Sequence, residues 1–243
     1  MRWPLYRFTP TGCCRLCQQS VWSAAQGICS VCWPTDWLPN LLAQACCRCC
    51  GLPTALPQAL CGRCLQKPPP WDTLLAVAPY GPPVSRLINQ FKFQRRFELA
   101  PTLARLLLLR WLAQRRWLGL EKPDLLLPVP LHWWRHWRRG FNQSALLAAN
   151  LAHWLGVAWD ATLLQRVQAT VPQQQLPAVA RRRNLRRAFA LAPGAEVRLA
   201  GTRVVLIDDV VTTGSTVAAL SQLLRRAGVA EIHIWTLGRT QSL

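Results

Sequence analysis

The chain has 243 residues, 51% of them hydrophobic, enough for one good-sized core with a small appendage or for two modest domains. Its 29 basic and ten acidic residues give a formal charge of +19, a balance that suits polyanions: nucleic acid, phosphorylated metabolites or a membrane surface. The opening MRWPLYRFTPTGCC has no signal-peptide core, and Ala145 to Leu164 is broken by Asn150, His153 and Asp160, so no membrane span is expected and a cytoplasmic, soluble protein is.

All eleven cysteines lie between Cys13 and Cys64. With KPPPW at 67–71 as linker, that places a domain boundary near residue 70, giving a Cys-rich unit over 1–70 and a second domain over 71–243. Cys14xxCys17, Cys29xxCys32, Cys47xxCys50 and Cys61xxCys64 form two similar units, with eleven residues between the pairs in the first and ten in the second. Each CxxC turn sets two thiolates on one side of a tight knuckle. Two knuckles close a tetrahedron around Zn²⁺, at about 2.3 Å per sulfur. A disulfide framework would need an oxidising compartment, for which the sequence gives no signal, and a redox motif needs one pair where four are present. CCRCC at 46–50 also contains Cys46xxCys49, but Gly51 favours the Cys47 register, because glycine tolerates the left-handed backbone such a knuckle often needs. Two structural, four-sulfur zinc sites are therefore expected, on which this short segment depends to fold.

From Trp71 onward short apolar runs alternate with helical ones. TLLAVAPY at 73–80 reads as a strand, Val84 to Phe93 as an amphipathic helix, and Leu99 to Trp117 as a longer helix with Arg105, Arg110, Arg115 and Arg116 on its polar side. DLLLPVPL at 124–131 is a buried strand, followed by a basic loop and a helix through Leu146 to Leu155. Arg203 to Val210 is a buried strand, Thr216 to Ala227 a helix and Glu231 to Leu237 a last strand. This alternation implies an α/β domain with a mostly parallel sheet, helices on both faces and ligands beyond the carboxyl ends of the strands.

Three segments fall near those ends. In VVLIDDVVTTGST (204–216), Asp208 and Asp209 leave a core strand, and Thr212, Thr213, Gly214, Ser215 and Thr216 lead into a helix whose N-terminal amides and hydroxyls suit a phosphate. Paired carboxylates beside a phosphate cradle suit the vicinal hydroxyls of a ribose; a capped turn with a solvated Asp pair is the plain alternative. In PVPLHWWRHWRRGFNQS (128–144), Arg135, Arg138 and Arg139 form a guanidinium-rich loop fit to clamp pyrophosphate, and Asn142 is placed to N-cap the next helix. Its tryptophans either stack nucleotides or pack inward. In TVPQQQLPAVARRRNLRRAF (170–189), five arginines and no acid describe a mobile loop and short helix over an anion, or a solvated basic face.

VVLIDDVVTTGST resembles the phosphoribosyl-pyrophosphate (PRPP) motif of type I phosphoribosyltransferases at all thirteen positions. In order, the four CxxC pairs, Ile88 with Lys92, PVPL with RRGFNQ, Thr170/Gln173/Leu176, Arg181 with Asn184 and the PRPP motif resemble the ComF/GntX family of competence and DNA-utilisation proteins. Extra cysteines, and Gln94 where glycine is more usual, are the departures. The resemblance implies a type I phosphoribosyltransferase-like domain behind a double zinc ribbon. It assigns the ribose hydroxyls to Asp208 and Asp209 and the 5-phosphate to Thr212 through Thr216. It gives pyrophosphate to Arg135, Arg139, Asn142 and Lys92, and a mobile loop to Arg181 and Asn184. Mg²⁺ accompanies PRPP, and the implied reaction is phosphoribosyl transfer with release of pyrophosphate, although no nucleophile or general base can be picked out. The family's biology adds single-stranded DNA and a DNA-uptake helicase as partners. The rival reading is a non-catalytic single-stranded DNA-binding protein that uses the PRPP site as a sensor.

Overall fold

The computed structural model describes residues 12–14, 17–21, 27–29, 31, 45–55, 59–131, 140–167 and 188–240. The Cys-rich part contributes β1 (Gly12–Cys13), β2 (Ser20–Val21) and α1 (Gly62–Gln66). Then follow β3 (Thr73–Pro79), α2 (Val84–Phe93), a 3₁₀ turn at Phe97–Leu99, α3 (Ala100–Leu118), β4 (Leu125–Pro128), α4 (Gln143–Leu155) and β5 (Ala158–Trp159). The chain continues through β6 (Leu164–Arg166), β7 (Phe189–Leu191), α5 (Ala195–Leu199), β8 (Arg203–Val211), α6 (Ser215–Arg226) and β9 (Glu231–Arg239).

Five strands form one parallel sheet in the order β3-β9-β8-β4-β5. Successive strand residues face opposite sides, and both sides are apolar. Leu75, Val77, Val205, Ile207 and Trp235 face a core built with α2, α3 and α4, while Leu74, Ala76, Val204, Leu206 and Ile234 face one built with α6 and the β6–β7 hairpin. In α2, Val84, Leu87, Ile88 and Phe91 recur at helical spacing and are fully buried. Burying a side chain such as Leu147 contributes about 2 kcal/mol. Gly119 and Gly156, both left-handed, end α3 and α4.

Two details depart from the sequence reading. Arg110 is buried, at 2% exposure, and does not share the polar face of α3 with the exposed Arg105, Arg115 and Arg116; its Nη2 lies 3.7 Å from the Cys46 sulfur, under the Cys-rich segment that covers that turn. The strand expected over 124–131 stops at Pro128, because Pro128 and Pro130 bring no N–H to the ladder; only the Val129 N–H continues it, to the Ile207 carbonyl at 2.9 Å. No described helix is long and apolar enough to cross a membrane. The Cys-rich segment packs on the sheet domain: Cys14, Val21, Ile28 and Cys29 belong to the same apolar cluster as α2, α3 and α4.

Candidate functional site

Asp208 and Asp209 emerge near the carboxyl end of β8, in the middle of the sheet. Their adjacency sends them to opposite faces. Asp209 turns toward the face carrying α2, where its Oδ1 meets Lys92 Nζ at 2.8 Å with only 12% of the carboxylate side chain and 16% of the lysine exposed. Asp208 turns toward α6 and lines the recess over the following loop. Burial, and then the neighbouring Asp209 carboxylate, push the Asp208 carboxyl well above the usual range, against the opposing pull of Lys92 and of the Asp209 N–H that it accepts at 2.9 Å.

That recess is lined by Asp208 and by residues 210–217. Gly214, at φ +78°, is the left-handed N-cap of α6. The first intrahelical bond runs from the Ala218 N–H to the Gly214 carbonyl at 2.9 Å, so the amides of Ser215, Thr216 and Val217 precede the ladder. The Thr213 and Ser215 hydroxyls meet at 2.8 Å beside them. A helix N-terminus, hydroxyls and a carboxylate at a sheet's carboxyl edge can hold a phosphate joined to a polyol.

Asn142 serves as the expected N-cap: its Oδ1 accepts from the Ser144 N–H at 3.0 Å, and its Nδ2 donates to the Val129 carbonyl at 3.1 Å. One amide thereby closes the base of the basic loop. Phe141 stacks edge-on against Phe97, with centroids 4.4 Å apart, and lies 5.9 Å from Phe91, which draws the loop's end against the helix that bears Lys92. Arg135, Arg138 and Arg139, and Thr170, Gln173, Leu176, Arg181 and Asn184, lie outside the described residues.

The sulfurs of Cys47, Cys50, Cys61 and Cys64 lie within 4.8 Å of one another, as do those of Cys14, Cys17 and Cys29. Cys32, the fourth member expected of the first set, is outside the described residues. A tetrahedral Zn–S₄ centre sets sulfurs about 3.8 Å apart, and Cys50 and Cys61 stand at 3.6 Å, as do Cys17 and Cys29. The CCRCC register falls on Cys47 and Cys50. Cys49 points its sulfur at the Asp72 carbonyl at 3.6 Å, Cys46 faces Arg110, and Gly51 takes the left-handed φ of +69°. Although burial raises it, the Cys47 thiol is held down to about 7 by the N–H groups of Cys61, Cys50 and Cys49, while burial pushes Cys50 up to about 12. Crowded sulfurs share negative charge well only around a cation, so the set of four and the three described members of the other set both fit a soft metal ion.

A family model for the phosphoribosyl transferase domain matches residues 142–242. The DNA utilization protein YhgH of Salmonella typhimurium is 51% identical over 234 residues, covering 96% of this chain and 99% of the relative. Competence protein F of Haemophilus influenzae is 39% identical, covering 93% and 96%. The chain belongs to the ComF/GntX family. Its fold is that of the type I phosphoribosyltransferases. Among solved structures, adenine phosphoribosyltransferase from Saccharomyces cerevisiae overlaps at a TM-score of 0.35 and 18% identity, over 58% of this chain and 69% of the enzyme.

Within this ComF/GntX chain two site residues escape sequence reasoning. Arg239 ends β9 and is buried, with its guanidinium on the carbonyls of Cys50, Val211, Thr212 and Thr240. Trp71 packs under Gly214, where an added Cβ would meet its Cη2 at 3.3 Å. The only trace of either in the sequence is position: an arginine closing an apolar strand, and a tryptophan closing a Pro-rich linker.

Proposed function

We propose that this ComF/GntX protein binds PRPP, with Mg²⁺ entering as part of that substrate, in the recess between Asp208 and the N-terminus of α6. The observation that carries the reading is Asp208 lining the same recess as the Thr212–Thr216 loop. The 5-phosphate sits on the amides of Ser215, Thr216 and Val217 with the Thr213 and Ser215 hydroxyls. Asp208 accepts from one ribose hydroxyl, and Asp209 accepts from the other with the oxygen that Lys92 does not occupy. An ammonium has three N–H donors. Lys92 gives one to Asp209 and turns the rest, with Arg135, Arg139 and Asn142, toward pyrophosphate. Arg181 and Asn184 belong to the loop that covers the ligand.

In transfer, these cations neutralise the departing pyrophosphate, while the Asp209 carboxylate, joined by Asp208 once it has ionised, favours the positive charge developing at the anomeric carbon. Residues 1–70 form a ribbon around two structural zinc ions, held by Cys14, Cys17, Cys29 and Cys32 and by Cys47, Cys50, Cys61 and Cys64. Each metal fixes its knuckles and takes no part in the transfer. By their printed names the relatives serve DNA utilisation and competence, and we assign this chain to the same handling of DNA, with single-stranded DNA as partner. Incubating the zinc-loaded protein with PRPP, Mg²⁺ and a panel of bases, with and without single-stranded DNA, tests the reading. Base-dependent release of pyrophosphate supports transfer, and its absence across the panel removes the enzymatic part.

A non-catalytic DNA-binding protein whose PRPP site acts as a sensor is the second reading. What favours it is the lining of the recess, which besides Asp208 offers only hydroxyl, glycyl and apolar groups among the described residues. Binding would then be dominated by phosphate contacts, and removing Arg138 and Arg139 together should lower the slope of log affinity against log salt by about one to two units. An unchanged slope would place the DNA elsewhere on the protein.

A further inference from the structure

The second cysteine knuckle and the phosphate loop share two side chains. Arg239 Nε donates to the Cys50 carbonyl at 2.9 Å, while its Nη1 donates to the carbonyls of Val211 at 3.2 Å, Thr240 at 2.7 Å and Thr212. The Trp71 indole N–H donates to the Cys49 carbonyl at 2.5 Å, and the edge of the same ring lies under Gly214, whose φ of +78° begins the loop's turn into α6. Arg239 is only 7% exposed. A buried guanidinium is costly unless its N–H groups are satisfied. Here its partners are main-chain carbonyls on the knuckle, at the end of β8 and beyond the end of β9, so it acts as a cross-link between segments distant in sequence.

The knuckle is itself pinned to the sheet. The Leu74 N–H donates to the Arg48 carbonyl at 2.8 Å, and a Cβ on Gly51 would lie 2.5 Å from Leu74 Cδ2, so the knuckle packs directly on that strand. A change in the Cys47–Cys50 turn therefore has little slack to dissipate into and reaches Cys49 and Cys50, whose carbonyls Trp71 and Arg239 hold.

We propose that Arg239 and Trp71 are positioning residues that couple the Cys47/Cys50/Cys61/Cys64 metal site to the Val211–Val217 phosphate loop, so that metal occupancy sets the order of the loop and its hold on a phosphate-bearing ligand. Without the cation, four sulfurs no longer fix the turn, the two carbonyls shift, and both braces loosen at the loop end. With it, the loop amides are held ready before ligand arrives, which removes part of the ordering that binding would otherwise require. Linkage makes the effect reciprocal: a ligand in the loop must tighten metal binding by the same factor. The competing possibility is that the β8–β9 ladder, with the Thr240 N–H to Val211 carbonyl bond at 3.1 Å just beyond it, holds the loop by itself.

The inference takes its ligand from the PRPP reading, but its first test needs none. Amide hydrogen exchange over residues 211–218 is measured on the full zinc-loaded chain and again after chelation. Trp71→Phe, which keeps a ring under Gly214 and loses the N–H, and Arg239→Lys are measured alongside. Cys17→Ser, in the other cluster, is the control. Chelation should speed exchange in the loop about tenfold, within the usual range of coupling between sites. Trp71→Phe and Arg239→Lys should reproduce a large part of that while retaining the second metal, and Cys17→Ser should not. Loop exchange indifferent to the metal, or wild-type exchange in Trp71→Phe with its metal retained, overturns the coupling; the latter decides even where Arg239→Lys does not fold. Titration with ribose 5-phosphate should show affinity falling in the same order as loop protection. Metal-dependent exchange without any ribose 5-phosphate binding supports the brace and contradicts only the PRPP reading.

Discussion

Lys92 Nζ and Asp209 Oδ1 form a nearly buried ion pair at 2.8 Å between the last turn of α2 and the carboxyl end of β8. It gives one of the adjacent aspartates a permanent counter-ion and leaves the other facing the Thr212–Thr216 loop.

Lys92→Met should destabilise the protein by about 3 kcal/mol, because a carboxylate is left without its partner in a poorly solvated place. Lys92→Met combined with Asp209→Asn should recover most of that, since the unpaired charge is then gone. Urea unfolding of both single variants and the double completes the cycle. Strictly additive losses would mean that the two groups do not depend on each other.

The raised Asp208 carboxyl fixes a sign for pH. Its ordinary value is 3.8, and burial with the Asp209 charge lifts it to about 8 in the folded protein. Between those values the folded state holds a proton that the unfolded state has released, so this group's contribution to stability is fully present below pH 4 and declines until about pH 8. Asp208→Asn, which cannot ionise, should flatten this component of the stability profile. A variant whose profile between pH 5 and 8 matches the wild type, as followed by thermal melts, would contradict the assignment.

Much of the fold is legible in the sequence where elements are long and periodic. The helix at Val84–Phe93 is found at its read boundaries, and the strand read from Glu231 extends only two residues further, through Gly238 to Arg239. Ala158–Trp159 and the hairpin of Leu164–Arg166 with Phe189–Leu191 are not legible, because two or three residues carry no period and the hairpin partners are more than twenty residues apart. The site divides in the same way. The Thr212–Thr216 loop is a local pattern, and its place at the start of α6 can be read directly. The separation of Asp208 from Asp209 follows from strand alternation once β8 is known to continue to Val211. The Lys92 partnership, Arg110 beneath Cys46 and the Arg239 cross-link are long-range facts of packing, which one chain read in order does not display.

Two zinc equivalents per chain are expected by elemental analysis of protein purified without chelator. Cys47→Ser should lose one of them. Cys46→Ser should keep both, because the Cys46 sulfur lies against Arg110 and outside the cluster. Equal metal loss in the two variants would remove the register, and near-zero metal with intact disulfides would remove the ribbon.

Calorimetric titration of PRPP in Mg²⁺ into the wild type and Asp208→Ala, run above about pH 8 where Asp208 is ionised, tests the phosphoribosyl site most directly. Each charge-assisted hydrogen bond from a ribose hydroxyl is worth about 1.5 to 3 kcal/mol. The wild type should bind PRPP, and Asp208→Ala should bind it about ten- to a hundredfold more weakly, with ribose 5-phosphate weakened alongside because it keeps the same hydroxyls. A wild-type protein that binds neither PRPP nor ribose 5-phosphate would contradict the assignment.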